Sequence, residues 1–276
     1  MSNQRKMLIT GASGFLGSRI ASYYKDKYKV LTPTHGEMDI TDERNVVQYF
    51  KTYMPEIVIH CAAVADVGTC ERELERSWKI NVTGTENIVK AAKAVGAICL
   101  CCSSDQVYCG IGTMQPNKEA DKVYPTNVYG KEKACAEESC LAIYDKSVHL
   151  RLAWMYDVYD EKRMDFIKQL KLSRTKEVVF SPMDHRGITD VWEVVKNIEP
   201  ALELPGGVYN FGSANDRSTY ETVLSILEEK GYNTCFIRKM ENANPRNLTM
   251  CQNKLNNHGI YFSTTIEGIL KCDFYY

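Results

Sequence analysis

Tyr129 and Lys133 stand four residues apart in Tyr129-Gly130-Lys131-Glu132-Lys133, with Ser103-Ser104 upstream. On a helix, residues at that spacing share a face, one turn from each other. A free phenol loses its proton at about pH 10 and a lysine ammonium at about 10.4. A neighbouring ammonium favours phenolate, so the pair predicts a tyrosine drawn down toward working pH. A serine hydroxyl beside it can hold a carbonyl or alcohol oxygen. The three side chains together would transfer a proton to or from a substrate.

A nucleotide site accompanies them. Gly11-Ala12-Ser13-Gly14-Phe15-Leu16-Gly17 follows the apolar Met7-Leu8-Ile9-Thr10 and opens a helix. In that context Gly11 permits a tight turn, Gly14 lets a pyrophosphate approach the backbone, and Gly17 lets helix meet strand. The helix start offers free N–H groups and the positive end of its dipole. The end of the second strand usually reads the adenosine ribose, with an acid in dinucleotide binders that take no 2′-phosphate. Here it reads Thr32-Pro33-Thr34-His35, with no acid before Glu37. Small polar groups and a histidine tolerate a 2′-phosphate, although no arginine stands ready to clamp it. NADPH is therefore favoured, with NADH the alternative. Asp39 can accept from an adenine amino group or serve as a plain turn residue. His60-Cys61-Ala62-Ala63 ends the next strand with small residues that leave a cofactor room.

These residues need a frame, and the first half of the chain supplies one. Apolar runs at 6–10, 29–32, 56–60, 97–102 and 147–152 read as buried parallel strands. Helical periodicity separates them at 15–25, 43–53, 71–95 and 127–144, with Asp42 and Thr126-Asn127 as N-caps. Such alternation predicts an α/β fold, a doubly wound parallel sheet of the Rossmann type. Beyond residue 155 the pattern loosens into helices near 162–173, 190–202 and 218–230, strands near 177–180, 208–211 and 235–238, a loop at 242–247 and a last helix at 263–272. The expected organisation is a Rossmann domain over 1–155, to which 185–212 returns, and a smaller α+β substrate-binding lobe over 156–276.

Composition narrows the function classes. The 276 residues carry 34 Lys/Arg against 35 Asp/Glu, a net charge of −1 that favours neither nucleic acid nor an anionic membrane. No run of about 18 apolar residues could span a bilayer. Met1–Lys6 leads straight into a strand, leaving no room for a signal peptide, so a cytoplasmic location is expected. Eleven cysteines are scattered, and the one Cys-x-x-Cys, Cys99 to Cys102, falls on a strand. Positions three apart on a strand face opposite ways and cannot share an ion. Reduced thiols packing as small apolar residues are expected, with no metal and no disulfide.

The ordered set of motifs resembles the extended short-chain dehydrogenase/reductases, and within them the dTDP-4-dehydrorhamnose reductases. It comprises Gly11-x-x-Gly14-x-x-Gly17, Asp39-Ile40-Thr41-Asp42, Ala62-Ala63, Ile80-Asn81-x-x-Gly84, Ser103 through Tyr108, Glu119-x-Asp121, Pro125-x-Asn127-x-Tyr129-Gly130-x-x-Lys133 and Arg151 through Tyr156. The resemblance implies that Tyr129 is the general acid that protonates a sugar C4 oxygen as hydride arrives. It makes Lys133 the ribose-binding residue that tunes the tyrosine, Ser104 the carbonyl's hydrogen-bond partner, and Asn81 a support for the lysine through water. Gly11, Ser13, Gly14, Phe15, Leu16, Gly17, Thr34, His35, Asp39, Ile40, Cys61, Ala62 and Ala63 would line the cofactor, with Tyr129 and Lys133. Ser104, Asp105, Gln106, Trp154 and Arg246 would meet a nucleotide-linked sugar, dTDP-linked by the resemblance, although Trp154 can equally be a core aromatic and Arg246 a solvated loop charge.

Departures from the family pattern also matter. Ser104 stands where threonine is common, which keeps the hydroxyl. Gln106 stands where a dehydratase would have the second acid of a pair. Arg19 replaces a metal-binding glutamate found in some dimeric reductases, so no magnesium is expected; a monomer or homodimer fits equally. The alternatives are a nucleotide-sugar epimerase or dehydratase of the same superfamily, and a non-catalytic NADP-binding regulatory subunit.

Overall fold

The computed structural model describes residues 4–110, 112, 114–160 and 163–272. Its strands are β1 (Lys6–Thr10), β2 (Lys29–Leu31), β3 (Ile57–His60), β4 (Ile98–Ser104), β5 (Val148–Leu152), β6 (Trp154–Tyr156), β7 (Val178–Phe180), β8 (Asp184–Arg186), β9 (Ile188–Asp190), β10 (Gly207–Phe211), β11 (Ile237–Lys239) and β12 (Arg246–Leu248). The α-helices are α1 (Phe15–Tyr24), α2 (Glu43–Tyr53), α3 (Val67–Arg72), α4 (Leu74–Trp78), α5 (Thr85–Val95), α6 (Val128–Ile143), α7 (Phe166–Leu172), α8 (Val191–Ala201), α9 (Thr219–Glu229), α10 (Asn253–Asn256) and α11 (Thr265–Leu270).

A six-stranded sheet runs in the order β10-β5-β4-β3-β1-β2, and β1 is parallel to both β2 and β3, as β3 is to β4. Chain order reverses direction between β1 and β3. Such a switch point opens a crevice at the carboxyl ends of the strands. Every residue of β3 is buried and all but His60 are apolar, as a strand covered on both faces requires. Leu8, Val58 and Cys99 pack from the sheet onto Val46 and Phe50 of α2 and Ile88, Val89 and Ala92 of α5. Asp42 caps α2 by accepting from the Arg44 and Asn45 amides.

The segment expected as one helix over 71–95 is broken into three pieces. Asp66 caps α3, α4 follows, and a π-helical turn, Lys79–Gly84, precedes α5. The π turn carries Asn81, whose side chain bonds the Val64 backbone on both sides, accepting from its N–H (2.8 Å) and donating to its carbonyl (3.0 Å). Irregular turns of this kind concentrate at functional sites.

The chain divides into two compact units, 1–107 with 125–151 and 197–209, and 108–124 with 152–196 and 210–276. The second holds three two-stranded parallel ribbons, β11-β7, β12-β8 and β6-β9. Tyr156, Phe166, Phe180, Ile188, Val223 and Ile226 fill its core. The loop expected over 242–247 ends in β12 instead, because Arg246–Leu248 pairs with Asp184–Arg186. No helix among the described residues is long and apolar enough to cross a membrane.

Candidate active site

The first unit carries a cleft of about 1230 Å³ walled by Thr10–Gly14, Thr32–His35, Asp39–Thr41, Cys61–Ala63 and residues from the 72–80 segment. Gly11, Ser13, Gly14, Thr34, His35, Asp39, Ile40, Cys61, Ala62 and Ala63 all lie on it. Phe15, Leu16 and Gly17 do not: Leu16 is buried and the Phe15 ring lies under the Arg19 guanidinium, 4.1 Å away. They belong to the helix that the glycine turn launches.

Gly11 sits at φ +65°, and a side chain there would also run into the Ala62 N–H, 2.7 Å from an added Cβ. The turn thus lies directly on the end of β3. Gly14 opens α1 with no side-chain cap and no acid in the first turn, leaving the helix N-terminus facing an anion's place. Close backbone approach and a bare helix start both fit a pyrophosphate. His60 fastens the floor from below, its Nδ1 2.8 Å from the Thr10 hydroxyl and its Nε2 3.1 Å from the Thr85 hydroxyl. The Thr10 hydroxyl in turn accepts from the Ala62 amide. Burial, then the charge of Lys133, pushes the His60 pKa down to about 3, so the imidazole is neutral.

The end of the cleft around Thr34–Asp39, expected to meet an adenosine, differs from the sequence expectation in detail. Glu37 folds back to accept from the Thr34 amide and hydroxyl (2.7 and 2.8 Å), so this acid is engaged within its own turn. Asp39 accepts from the Thr41 amide and hydroxyl; burial opposes its ionisation, but those bonds win and hold its carboxyl low. Arg72, Arg76 and Lys79 line the same cleft together with Glu73 and Glu75; Arg76 pairs with Glu73, and the charge of Lys79 helps hold Asp39 ionised. They escaped the sequence reading because they lie far along the chain, within a run of alternating charges that reads as a solvated helix face.

Ser104, Tyr129 and Lys133 form a second, buried cluster, each less than 9% exposed. β4 runs to Ser104, so the hydroxyl projects from the last residue of the sheet. Its oxygen accepts from the Gln106 amide (3.2 Å) and its hydroxyl lies 3.2 Å from the Asp105 carboxylate. Asn127 caps α6 by accepting from the Gly130 amide (2.7 Å) while donating to the Gln106 side chain (2.9 Å), which ties this turn to the helix bearing the tyrosine. Lys133 donates to the Cys102 carbonyl (2.9 Å), with Nζ 5.7 Å from the centre of the Tyr129 ring.

The tyrosine's acidity departs from expectation. Burial, followed by the Asp105 charge, raises the Tyr129 pKa, and the bond with Ser104 lowers it only in part. Lys133 is itself pulled down by burial. Desolvation and the Asp105 charge prevail, and the phenol keeps its proton, which is the state a proton donor requires.

Asn81 does not reach toward Lys133 directly. Besides clasping Val64, its amide donates to Glu132 (2.7 Å), which also accepts from Ser77 (2.5 Å). Glu132 is 1% exposed and was missed. Its signal was its place three residues after Tyr129, on the inward face of α6. Glu137, one turn and more beyond, anchors Ser103 (2.5 Å) and pairs with Arg151 (2.6 Å) inside the core.

Two expected substrate residues belong to the second unit. Trp154 lies in β6, half-buried, with the Arg186 guanidinium 4.9 Å from its ring and Phe166 edge-on. Arg246 opens β12 and donates to Asp184 at 2.7 Å, a fixed ion pair instead of a loose loop charge.

A switch-point cleft under a glycine turn, beside a buried Ser–Tyr–Lys set, defines an extended short-chain dehydrogenase/reductase. The chain belongs to the family described as the RmlD substrate binding domain, which it matches over residues 5–255. It is 32% identical over 235 residues to the spore coat polysaccharide biosynthesis protein SpsK of Bacillus subtilis (strain 168), covering 84% of this chain and 82% of that protein. It is 29% identical to a dTDP-4-dehydrorhamnose reductase of Aggregatibacter actinomycetemcomitans, over 81% of this chain and 79% of the relative. Its fold matches the crystal structure of the dTDP-4-dehydrorhamnose reductase of Bacillus anthracis in complex with NADP, with a TM-score of 0.87, 23% identity and 98% of each chain covered.

Proposed function

We propose that the protein is an NADPH-dependent reductase that converts the C4 keto group of a nucleotide-linked 4-keto-6-deoxy sugar to an alcohol. The observation that carries this reading is the protonated, desolvated Tyr129 held against Ser104, with Lys133 bonded to the strand whose neighbour floors the cleft. Bound NADPH supplies the hydride. Of the cleft's cations, Arg76 is paired with Glu73, and Lys79 is the one assigned to the 2′-phosphate of the phosphorylated dinucleotide. As negative charge develops on the carbonyl oxygen, Tyr129 delivers its proton and Ser104 donates a hydrogen bond to the same atom. Lys133, fixed by the Cys102 carbonyl, offers its remaining N–H donors to the cofactor ribose and stabilises the phenolate left behind. For the sugar nucleotide, the dTDP-linked form is the first choice on the relative's name.

The test is NADPH oxidation, followed by absorbance, with enzymatically prepared dTDP-4-keto-6-deoxyhexose. Tyr129→Phe should cut turnover by about 10²–10⁴-fold and leave NADPH binding intact. Turnover of Tyr129→Phe within about tenfold of the native chain would refute the role of the tyrosine. NADPH binding with no oxidation would favour a dinucleotide-binding regulatory subunit.

A further inference from the structure

β3 ends at His60, which stands in register with Cys101 of β4. One residue further on, Cys61 and Cys102 lie side by side, their sulfurs 3.6 Å apart. Both are only partly buried, and Cys61 lines the dinucleotide cleft. A second sulfur pair, Cys99 and Cys101, is 3.8 Å apart but sealed in the core at 0% and 2% exposure. Only the first pair therefore combines contact with access.

The geometry around the pair suits a covalent link. Neighbouring strands lie about 4.8 Å apart, inside the about 4.4–6.8 Å span between the α-carbons of a disulfide. The sulfurs need to close by about 1.5 Å to reach a bond of about 2.0 Å. Cys102 lies within β4, whereas Cys61 lies just past the end of β3, so the displacement falls on Cys61. The contact with Cys61, against the opposing effect of burial and with help from Lys133, holds the Cys102 thiol below its ordinary pKa. The same contact, with burial, pushes the Cys61 thiol up.

We propose that Cys61 and Cys102 are a modification site, a thiol pair that a hydroperoxide converts reversibly to a disulfide, and that the crosslink disables the dinucleotide cleft. The Cys102 thiolate attacks one peroxide oxygen and the O–O bond breaks. Hydroxide leaves and takes up a proton as water. The Cys61 sulfur then attacks the resulting sulfenic sulfur, its proton leaving with the second oxygen as water. Two sulfurs lose one electron each, and one hydrogen peroxide becomes two waters. A small dithiol reverses the step by exchange.

Disabling follows from where Cys61 sits. Its carbonyl carbon would be 2.9 Å from a Cβ on Gly11, so floor and glycine turn are already in tight contact. Drawing Cys61 toward Cys102 moves the floor beneath the pyrophosphate turn and pulls on the strand whose carbonyl holds Lys133. A bound dinucleotide would in turn cover Cys61. This second half rests on the cleft being the dinucleotide site.

The test treats the purified protein with hydrogen peroxide, with and without NADP⁺, and maps proteolytic peptides by mass spectrometry without reduction. A Cys61–Cys102 linked peptide should form, disappear with dithiothreitol and form more slowly with NADP⁺ present. NADP⁺ affinity should fall about tenfold or more on oxidation, the loss expected when one charge-assisted hydrogen bond between the displaced turn and the dinucleotide is broken. That before-to-after ratio should return to one in Cys102→Ala and remain as in the native chain in Cys99→Ala. Absence of the linked peptide at a peroxide dose that oxidises exposed Cys235 overturns the proposal, as does the same affinity loss in Cys102→Ala. The peptide map is read whether or not NADP⁺ binds, so failure of the dinucleotide reading is told apart from failure of this one.

Discussion

Replacing Glu132 tests whether the buried polar network behind the catalytic helix is structural or incidental. Glu132, Ser77 and Asn81 are 1%, 0% and 0% exposed, and the carboxylate accepts from both of the others. Glu132→Gln keeps the volume and one acceptor oxygen but sets an NH2 group against one of the two donors. Burying a carboxylate costs several kcal/mol, so removing the charge has a favourable side. That gain is realised only when the partners are replaced as well; stranding a buried donor costs about 1–3 kcal/mol. Ser77 keeps a contact with the Leu74 carbonyl and Asn81 keeps Val64, which places the estimate at the lower end. Glu132→Gln should therefore destabilise by about 1–2 kcal/mol and Glu132→Ala, which strands both donors, by about 2–4.

Thermal unfolding reads this directly, at about 2–4 °C per kcal/mol for chains somewhat shorter than this one. Combining Glu132→Gln with Asn81→Ala isolates the pair term, which for residues in contact runs at about 0.5–3 kcal/mol. A Glu132→Gln chain as stable as the native one, or perfectly additive losses in the double variant, would show that the carboxylate does not hold Asn81.

Three further perturbations follow from the same region. Folded His60 has its pKa near 3 against 6.5 free, so below pH 6.5 the unfolded chain binds a proton that the folded one refuses; stability is full above 6.5 and drops toward pH 3, by about 2 kcal/mol at pH 5. His149, held at about 4, shares this limb, so the check is that urea titrations show a shallower acid slope for His60→Gln than for the native chain. Gly130→Ala would place a Cβ 2.9 Å from Pro125 and against the Gln106 carbonyl, costing about 1–3 kcal/mol in thermal melts and lowering turnover by moving Tyr129; unchanged values would refute the close approach. Lys79→Glu, opposite Asp39, should weaken NADP⁺ about tenfold at low salt and NAD⁺ less, and equal loss for both would remove Lys79 from phosphate recognition.

Much of the first unit was legible in the sequence because its strands are buried and its helices periodic. The five expected strands appear within two residues of their observed ends. The glycine turn and the Tyr129–Lys133 pair also sit on the elements expected of them. The 71–95 region misled because helical periodicity persists through α3, α4 and α5, while the breaks are set by tertiary partners: Asp66 as a cap and Asn81 clasping Val64. Among the three-residue strands, β6, β8 and β12 carry too little pattern to register, whereas β2, β7 and β11 coincide with expected strands. The acidity of Tyr129 was misjudged for a different reason. A neighbouring lysine is visible in sequence, whereas burial and the facing Asp105 are not.

On the proposed assignment, the sheet order couples dinucleotide binding to proton transfer. β1, β3 and β4 are adjacent, and at their carboxyl ends they present Gly11, Cys61-Ala62 and Ser104 in that sequence across the sheet. With strands about 4.8 Å apart, the glycine turn and the Ser104 hydroxyl are held two strand spacings from each other by the backbone hydrogen bonds of the sheet. The middle strand touches both. Its end supports Gly11 through Ala62, and its Cys61 sulfur lies against Cys102, whose carbonyl fixes Lys133. Any change that displaces the end of β3 must therefore move the floor of the cleft and the Ser104–Tyr129–Lys133 cluster together. A surface change confined to α1 or α2 has no such route to Tyr129.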